Sequence, residues 1–333
     1  MLKNKEIMSL ENEYKYSCND DEYFGKDINE KVSWFLASFR SVNTRKSYER
    51  DIREFFLFCF LQLKIKVIDF HQVTERIVLL WKHSISQLKA SSIRRKLSAL
   101  SSLFNFLIRR KFMHKNIIEL IIKDPVSRDG KTNVLTHDEV IQLLNYIYLK
   151  CSEFQQKNNL FYRKWRLRYV ILYTLLTVGM RVEELCQLKI KSLEFNGEIW
   201  KLHMIAKGDL NHSPIIHPAT AAVLIEYLKE FRADASQAEP LFIKTQMSKN
   251  ITKLSRSSVF RMVKICAEAA GLKKEISPHS CRTTLASLLH QNGIPIIEIK
   301  NLLNHKLVTT TEIYIKNSNE HMKSEIKKMD IFE

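Results

Sequence analysis

Glycine and proline are scarce in this sequence, with 7 Gly and 6 Pro among 333 residues. So few turn-forming residues favour long helices over a turn-rich β architecture. No stretch reaches the ~18 consecutive apolar residues of a membrane-spanning helix. Residues 1–27 are polar and contain no apolar segment of the signal-peptide type. These absences argue against a membrane protein or a secreted protein, and we expect a cytoplasmic one.

Cysteine pairs and metal-ligand patterns are missing as well. The 6 cysteines form no Cys-x-x-Cys pair, which predicts buried, reduced thiols and no disulfide framework. His, Cys, Asp and Glu residues do not recur at the spacing of a metal site. The sequence therefore predicts no metal and no other cofactor, and it disfavours a metal-dependent hydrolase.

Positive charge is what the sequence has in excess. The chain carries 53 Lys and Arg residues against 36 Asp and Glu residues, a formal net charge of +17. An excess of this size indicates a polyanionic partner such as nucleic acid. A lysine-rich source proteome would raise the same total without any such partner. Hydrophobic residues make up 45% of the chain, which is enough for two well-packed domains.

The spacing of apolar residues divides the chain into two domains. Residues 28–123 have helical periodicity, which predicts a bundle of four or five helices. The polar segment 124–135 is predicted to be a linker. Residues 136–333 form the second domain, and residues 1–27 are a separate polar extension.

The second domain is predicted to be α-rich with one small three-stranded antiparallel sheet. Its β-type runs lie at 193–195, 200–205 and 213–216, separated by turn residues near Gly197 and Lys207. The fold class of the whole chain is therefore mainly α: an N-terminal helical bundle followed by a larger helical domain.

Six polar side chains of the second domain form a set suited to phosphodiester chemistry. They are Arg181, Lys207, His279, Arg282, His305 and Tyr314. Cations can hold phosphoryl oxygens, imidazoles can position or transfer protons, and a phenol can attack phosphorus. Taken singly, each residue also has an ordinary structural explanation, such as an ion pair, an exposed lysine or a core tyrosine.

The order and context of these six residues resemble the tyrosine recombinases, the integrase family that includes the Xer proteins. Arg181 lies in a G-x-R-x-x-E-L motif, and the S-P-H-S-C-R segment of His279 and Arg282 is similar to the family's S-P-H-x-L-R. His305 follows L-L-N where relatives have L-L-G, and Tyr314 ends a T-T-x-x-Y motif. The resemblance extends over about residues 28–320 and includes several motifs in one order.

Some matches carry specific implications, and some positions depart from the family pattern. Glu184 matches the motif's acidic residue, which implies that it orients Arg181. Lys207 matches the hairpin lysine that relatives use as a general acid. Lys201 is the competing candidate, and the turn position favours Lys207. The departures are Cys281 in place of Leu, Thr283 in place of a second His, and Asn304 in place of Gly. Asparagine tolerates the left-handed conformation best after glycine, so the last departure is mild.

The resemblance also implies a SAM-like core-binding domain that grips one side of a DNA duplex. Basic residues gather near two predicted helix starts, which we place after Asn43 or Thr44 and after Ser91 or Ser92. The residues predicted to contact DNA are Thr44, Arg45, Lys46, Tyr48, Arg94, Arg95 and Lys96. An ordinary solvated helix face would have the same composition.

The resemblance implies an enzyme that cuts and rejoins DNA strands through a 3′-phosphotyrosyl intermediate, with chemistry similar to that of type IB topoisomerases. In such an enzyme Tyr314 attacks the phosphate and the two arginines stabilise its charge. His279 helps to deprotonate the phenol, His305 donates a hydrogen bond to the phosphate, and Lys207 protonates the leaving 5′-oxygen. The implied partners are double-stranded DNA with specific recombination sites and further subunits, in a homo- or hetero-tetramer that can include a second recombinase. The tail at 319–333 is expected to dock on a neighbouring subunit or on its own domain.

Several biological roles remain open at the level of sequence. Within the family, Xer-type resolution of chromosome dimers competes with integration or excision of a phage, plasmid or transposon. A noncatalytic DNA-binding regulator of the same fold is expected to lack at least one catalytic residue, and all six are present. A type IB topoisomerase would relax supercoils as a monomer without site specificity.

Overall fold

The computed structural model describes residues 25–122, 133–154, 159–206, 210–245, 252–305 and 310–312. The chain divides into two compact units, Met1–Ser127 and Arg128–Glu333. Several predicted features lie outside the described residues: Lys207, Tyr314, residues 1–24 of the extension, residues 124–132 of the linker, and the 319–333 tail.

The described part of the first unit is a helical bundle with an aromatic core. Its helices are α1 (Lys26–Ala37), α2 (Val42–Leu63), α3 (Glu75–Ser84) and α4 (Ala90–Arg109), with 3₁₀ turns at Phe70–Gln72 and Ile117–Leu120. Phe55 of α2 packs edge-on against Trp81 of α3, with ring centroids 5.1 Å apart, and both side chains are buried. The predicted bundle is confirmed, because the apolar stripes of these helices face one another.

Two of the predicted helix starts are wrong. Helix α2 begins earlier than expected because Ser41, in an extended conformation, caps it by accepting a hydrogen bond from the Thr44 N–H at 3.3 Å. Helix α4 likewise begins earlier, at Ala90. Because α4 begins at Ala90, Arg94 and Lys96 lie in its second turn. They are therefore beyond the free N–H groups, which only the first turn of a helix has.

The second unit contains seven α-helices within the described residues. They are α5 (His137–Phe154), α6 (Asn159–Val178), α7 (Val182–Gln187), α8 (Pro218–Phe231), α9 (Arg256–Ala269), α10 (Pro278–Gln291) and α11 (Ile296–Leu302). The capping box that the sequence predicts at the start of α5 is present. The Thr136 N–H donates to Glu139 Oε2 at 2.8 Å, and the Glu139 N–H donates to Thr136 Oγ1 at 3.2 Å.

The β-structure of the second unit is a small antiparallel sheet beside a separate two-stranded ladder. The strands are β1 (Leu193–Phe195), β2 (Trp200–Leu202), β3 (Met204–Ala206), β4 (Leu210–His212) and β5 (Ile215–Ile216). The sheet has the order β1-β2-β5, and β3 pairs with β4. The predicted strand over 200–205 is broken at His203, because its N–H donates to the Ser192 carbonyl at 2.7 Å. The strand predicted over 213–216 is shortened to β5, which follows Pro214 and its missing N–H.

Helix α6 is the central element of the second unit and positions the site. Val170, Ile171, Leu172 and Leu175 are fully buried in one continuous apolar core, and α6 packs against α5, α8 and α10. Because so much of the apolar surface of α6 is packed in the core, the residues that directly follow this helix are held in a fixed position. Within the described residues, the longest helices are too short or too polar to span a bilayer.

Candidate active site

Arg181 is held at the junction of α6 and α7 by Glu184. The Arg181 backbone N–H donates to Glu184 Oε2 at 2.7 Å, and Arg181 Nη1 donates to Oε1 at 2.9 Å. The Glu184 side chain is buried, whereas that of Arg181 is 36% exposed. The ion pair predicted from the sequence is therefore present. One carboxylate both caps α7 and orients the guanidinium.

Gly179 makes this junction possible. Its φ of +66° lies in the left-handed region, and a Cβ there would come within 2.6 Å of Leu303 Cδ2 and 2.8 Å of Leu285 Cδ2. Only glycine combines this backbone conformation with such close packing. The chain can thus leave α6 in direct contact with α10 and with the end of α11, which brings Arg181 towards the residues that follow α11.

The start of α10 agrees with the sequence prediction. Ser277 caps the helix by accepting a hydrogen bond from the Ser280 N–H at 3.3 Å, and Pro278 occupies the first helical position. Proline is pre-organised for that position and loses no hydrogen bond there. His279 and Arg282 follow three residues apart, so they lie on the same face of the helix, in its first and second turns.

Arg282 is almost completely buried, at 3% exposure, and donates hydrogen bonds to three residues. Its Nη1 donates to the Gly179 carbonyl at 2.5 Å, its Nη2 donates to the Leu303 carbonyl, and its Nε donates to His305 Nε2 at 3.3 Å. A buried guanidinium is costly without such acceptors. These bonds connect α10 to the end of α6 and to the end of α11.

His305 is placed by a left-handed turn after α11. Asn304 has a φ of +50°, which confirms that asparagine supplies the conformation expected of the missing glycine. The His305 N–H then donates to the Lys300 carbonyl at 3.0 Å. Its ring is 5% exposed, with Nε2 against Arg282 and Nδ1 2.8 Å from Thr311 Oγ1.

The two arginines meet at this turn. Arg181 Nη2 donates to the Asn304 carbonyl at 3.4 Å, and Arg282 Nη2 donates to the adjacent Leu303 carbonyl. Arg181, His279 and Arg282 also line one cavity of about 220 Å³. The structure thus brings four of the six predicted residues together: Arg181, His279, Arg282 and His305.

The electrostatics of the cluster keep both imidazoles neutral. Burial, followed by the charges of Arg282 and Arg181 and the neighbouring His279, lowers the pKa of His305 to about 3. Partial burial and then the same two guanidiniums lower the pKa of His279. Neutral imidazoles can accept protons. The cluster as a whole is cationic, which suits a phosphate.

The other two predicted catalytic residues lie outside the described part of the chain. Lys207 belongs to the three residues between β3 and β4, whose ladder ends with Ala206 opposite Leu210. The competing Lys201 lies within β2, opposite Glu194 of β1. Tyr314 follows a helical turn at residues 310–312. The roles of Lys207 and Tyr314 therefore stay predictions.

The seven side chains predicted to contact DNA are not equally accessible. Lys46 and Arg94 are exposed. Lys96 is 6% exposed and pairs with Glu54, and Arg95 pairs with the buried Asp51. Tyr48 stacks on Phe35, with ring centroids 5.9 Å apart, and Thr44 and Arg45 are half-buried. The structure thus gives Arg95 and Lys96 a role in joining α4 to α2.

The basic segment of α6 is largely engaged in internal contacts. Arg166 pairs with Glu226 at 2.7 Å and Glu230 at 3.6 Å. The Arg168 guanidinium lies over the Trp165 ring, 4.3 Å from its centroid. These contacts give Arg166 and Arg168 a structural role, in which cations are stabilised by carboxylates and by an aromatic ring.

Sequence reasoning missed three kinds of contributor to the site. The carbonyls of Gly179 and Leu303 receive Arg282, and backbone acceptors have no signature in sequence. Arg256, at the start of α9, lines the same cavity and pairs with Glu183 at 2.9 Å. Thr311 was visible only as part of the motif before Tyr314. Within the described ranges, His, Cys, Asp and Glu side chains form no group of three or more that could hold a metal ion.

Two family models match the chain. The Phage integrase family model matches residues 133–321, and the model for the phage integrase N-terminal SAM-like domain matches residues 35–111. A curated tyrosine recombinase of Pseudothermotoga lettingae is 30% identical over 83% of this chain and 87% of its own length. The tyrosine recombinase XerD of Listeria monocytogenes is 27% identical over 86% of this chain and 93% of its own.

Solved structures show the same fold. A XerH site-specific recombinase in a post-cleavage complex with a palindromic difH substrate has a TM-score of 0.68 and 16% identity, covering 98% of this chain and 89% of that one. A lambda integrase tetramer bound to a Holliday junction has a TM-score of 0.65 and 16% identity, covering 91% and 79%. The chain belongs to the phage integrase family and is a tyrosine recombinase, one of the enzymes that cut and rejoin DNA strands.

Proposed function

We propose that the protein is a site-specific recombinase that links itself to DNA through a 3′-phosphotyrosyl bond at Tyr314. The observation that carries the proposal is the convergence of Arg181, His279, Arg282 and His305. Guanidinium groups donate paired hydrogen bonds that match the oxygens of a phosphate. Two of them beside two imidazoles form a site for a phosphodiester in which charge develops during the reaction.

Each strand cleavage exchanges one phosphodiester for another. The Tyr314 phenol attacks the scissile phosphorus, and the bond to the 5′-oxygen breaks as the phosphotyrosyl bond forms. His279 accepts the phenolic proton, which a neutral imidazole can do, and Lys207 gives a proton to the leaving 5′-oxygen. A 5′-hydroxyl from a partner strand then attacks the phosphotyrosyl link and restores the phenol. No ATP is needed, since one ester bond replaces another at each step.

Arg181 and Arg282 stabilise the negative charge of the phosphorane-like transition state. Both are already fixed before DNA binds, by Glu184 and by backbone carbonyls respectively. Donors that are held in place need little reorganisation when charge develops. Removing one such donor lowers the rate by roughly 10²–10³.

His305 needs a change of protonation before it donates to the phosphate through Nε2. In the structure this nitrogen faces the Arg282 Nε–H at 3.3 Å, so it acts as an acceptor. The nearby guanidiniums contribute to the lowered pKa of His305. A bound phosphate offsets their charge and favours the protonated ring, which can donate to a phosphate oxygen.

The covalent chain limits how far Tyr314 can lie from Thr311. Three residues span at most about 11 Å when fully extended, so the Tyr314 Cα is within that distance of the Thr311 Cα in any conformation. Thr311 Oγ1 is itself 2.8 Å from His305 Nδ1. This constraint supports attack by the tyrosine on a phosphate bound in the same subunit.

The first domain, residues 28–123, holds double-stranded DNA in this proposal, and residues 136–333 catalyse strand transfer, joined by the 124–135 linker. Lys46 and Arg94 are the exposed cations of the predicted interface, and their contacts are with phosphates. Recombination of two duplexes requires several active sites, so the working form is a tetramer on DNA. The related fold of a lambda integrase tetramer on a Holliday junction supports this assembly.

Trapping of a covalent adduct tests the proposed reaction. We would incubate the protein with a library of randomised, nicked duplexes and sequence those that become attached. Wild type should form adducts on a restricted set of sequences, including in a chelator, and Tyr314→Phe should bind the same DNA without attachment. An adduct with Tyr314→Phe would overturn the assignment of the nucleophile. Selective DNA binding by wild type without any adduct would favour a noncatalytic regulator.

For the biological role, we propose Xer-type resolution of chromosome dimers, supported by relatives named XerD that align over most of both chains. The second candidate is movement of a phage, plasmid or transposon, supported by the shared fold of lambda integrase. Deletion of the gene in its host separates the two. Accumulation of chromosome dimers supports the first role, and loss of excision of a resident element with normal chromosomes supports the second.

A further inference from the structure

Thr311 is a buried polar residue in the short described turn at 310–312. Its side chain is 0% exposed, and its Oγ1 lies 2.8 Å from His305 Nδ1. A hydroxyl in such an environment needs a hydrogen-bond partner, and His305 provides one. Thr311 also precedes Tyr314 by three positions, so it belongs to the segment that leads to the nucleophile.

The direction of the hydrogen bonds follows from Arg282. A guanidinium donates only and does not lose its proton in proteins. Since Arg282 Nε–H points at His305 Nε2 at 3.3 Å, Nε2 must be the acceptor. A neutral ring then carries its proton on Nδ1, and the lowered pKa of His305 agrees with a neutral ring. The Nδ1–H therefore donates to Thr311 Oγ1. Arg282 thus donates to His305, and His305 donates to Thr311.

We propose that Thr311 is a positioning residue for strand cleavage, which holds the His305 ring in one orientation by accepting from its Nδ1–H and thereby anchors to the active site the described turn that precedes Tyr314. This inference rests on the proposed function. The threonine hydroxyl is the part that acts, because it is the acceptor for Nδ1–H. The β-branched side chain restricts the χ1 angle, which holds that acceptor in one direction.

A comparison of Thr311→Val with Thr311→Ser isolates the hydroxyl. Valine keeps the branched shape and removes the acceptor, whereas serine keeps the acceptor and removes a methyl group. Thr310→Val is the matched control, because it makes the same exchange at the neighbouring position, which is only half-buried. The rate of covalent adduct formation on a nicked duplex at saturating protein is measured for all three, together with DNA affinity and the thermal midpoint.

The expected result is a loss of rate in Thr311→Val of at least about 10-fold, the size seen when the outer hydrogen-bond partner of a metal-binding histidine is removed. DNA affinity should stay within twofold, and Thr311→Ser and Thr310→Val should keep most of the rate. A rate for Thr311→Val within twofold of wild type overturns the proposal. Equal losses in all three variants also overturn it, since they indicate a structural effect of the turn.

Nitrogen NMR of the His305 ring gives a second readout, whose wild-type measurement needs neither activity nor a folded valine variant. In wild type we expect the proton on Nδ1 at neutral pH, in a hydrogen bond to Thr311 Oγ1. In Thr311→Val the Arg282 donor still requires the same tautomer, and we expect the signal of an Nδ1–H that has lost its acceptor. A wild-type ring protonated on Nε2 alone would refute the proposed hydrogen-bond direction. If wild type forms no adduct, the proposed function fails, and this spectrum still decides whether Thr311 accepts a hydrogen bond from the His305 ring.

Discussion

Replacement of Gly179 by alanine should be the most informative single perturbation of the site. The left-handed backbone costs a non-glycine residue roughly 1–2 kcal/mol. The new Cβ would also meet Leu303 Cδ2 at 2.6 Å and Leu285 Cδ2 at 2.8 Å, and overpacking of this kind costs about 1–3 kcal/mol more. The free energy of unfolding of the second unit should therefore fall by about 2–5 kcal/mol.

The same change should also slow DNA cleavage, because the Gly179 carbonyl accepts a hydrogen bond from Arg282 Nη1 at 2.5 Å. A shift of the backbone to relieve the clash moves this acceptor, and the guanidinium follows it. A displacement of about 1 Å in a catalytic group can cost about 10²-fold in rate. We expect Gly179→Ala to lose adduct formation at a temperature at which it is still folded.

Gly271→Ala is the matched control for this experiment. Gly271 has a similar φ of +75°, but the nearest atom to its new Cβ is Gln142 Nε2 at 3.9 Å. The Gly271→Ala variant should therefore lose only the stability that the left-handed backbone costs a non-glycine residue, and it should keep its activity. For a unit of this size the thermal midpoints of the two variants should differ by about 2–12 °C. Equal midpoints and equal adduct rates would refute the steric argument and the link to Arg282.

Three further predictions follow from charged groups. Glu184→Gln keeps an acceptor for the Arg181 N–H but removes the charge that orients the Arg181 guanidinium. The adduct rate should therefore fall by up to about 100-fold, with DNA affinity unchanged. An unaltered rate would contradict this role of Glu184. Because the pKa of His305 in the folded protein is about 3, below its ordinary 6.5, the unfolded chain binds more protons between these values, and stability should decline as pH falls below 6.5. Urea titrations should show wild type losing up to about 1.4 kcal/mol per pH unit more than His305→Gln, and parallel pH profiles would exclude this contribution. In the first unit, Asp51→Asn should lower the free energy of unfolding by about 1.5–3 kcal/mol, the range for hydrogen bonds to charged groups. Asp27→Asn, at an exposed position, should lower it by about 0.2–1 kcal/mol. Similar urea midpoints for these two variants would argue against a structural role of the Asp51 network.

Local signals in the sequence were sufficient for several features that depend on neighbouring residues, although the serine cap of α2 at Ser41 was missed. The capping box of Thr136 and Glu139 and the serine cap with proline at the start of α10 form as predicted. The left-handed Asn304 at the end of α11 does so as well. Each is a contact between groups a few residues apart, so the chain specifies it before any tertiary contact is made.

Features that depend on distant partners were missed or misplaced. The strand predicted over 200–205 is interrupted because His203 bonds to the Ser192 carbonyl, which only the folded sheet brings near. Lys96 has the composition of a DNA contact, yet it is buried against Glu54, 42 residues away in sequence. A basic residue in a helix looks the same in sequence whether it faces a phosphate or an internal carboxylate.

The sequence by itself determined the helical fold class, the family and the chemical character of the site, because residue types, periodicity and motif order are properties of the chain. Tertiary structure decided how that site is held. Arg282 reaches the carbonyl of Gly179, 103 residues away, and that of Leu303, 21 residues away, and His305 is fixed between Arg282 and Thr311. Backbone carbonyls are present at every residue, so only packing can select which of them a buried cation meets.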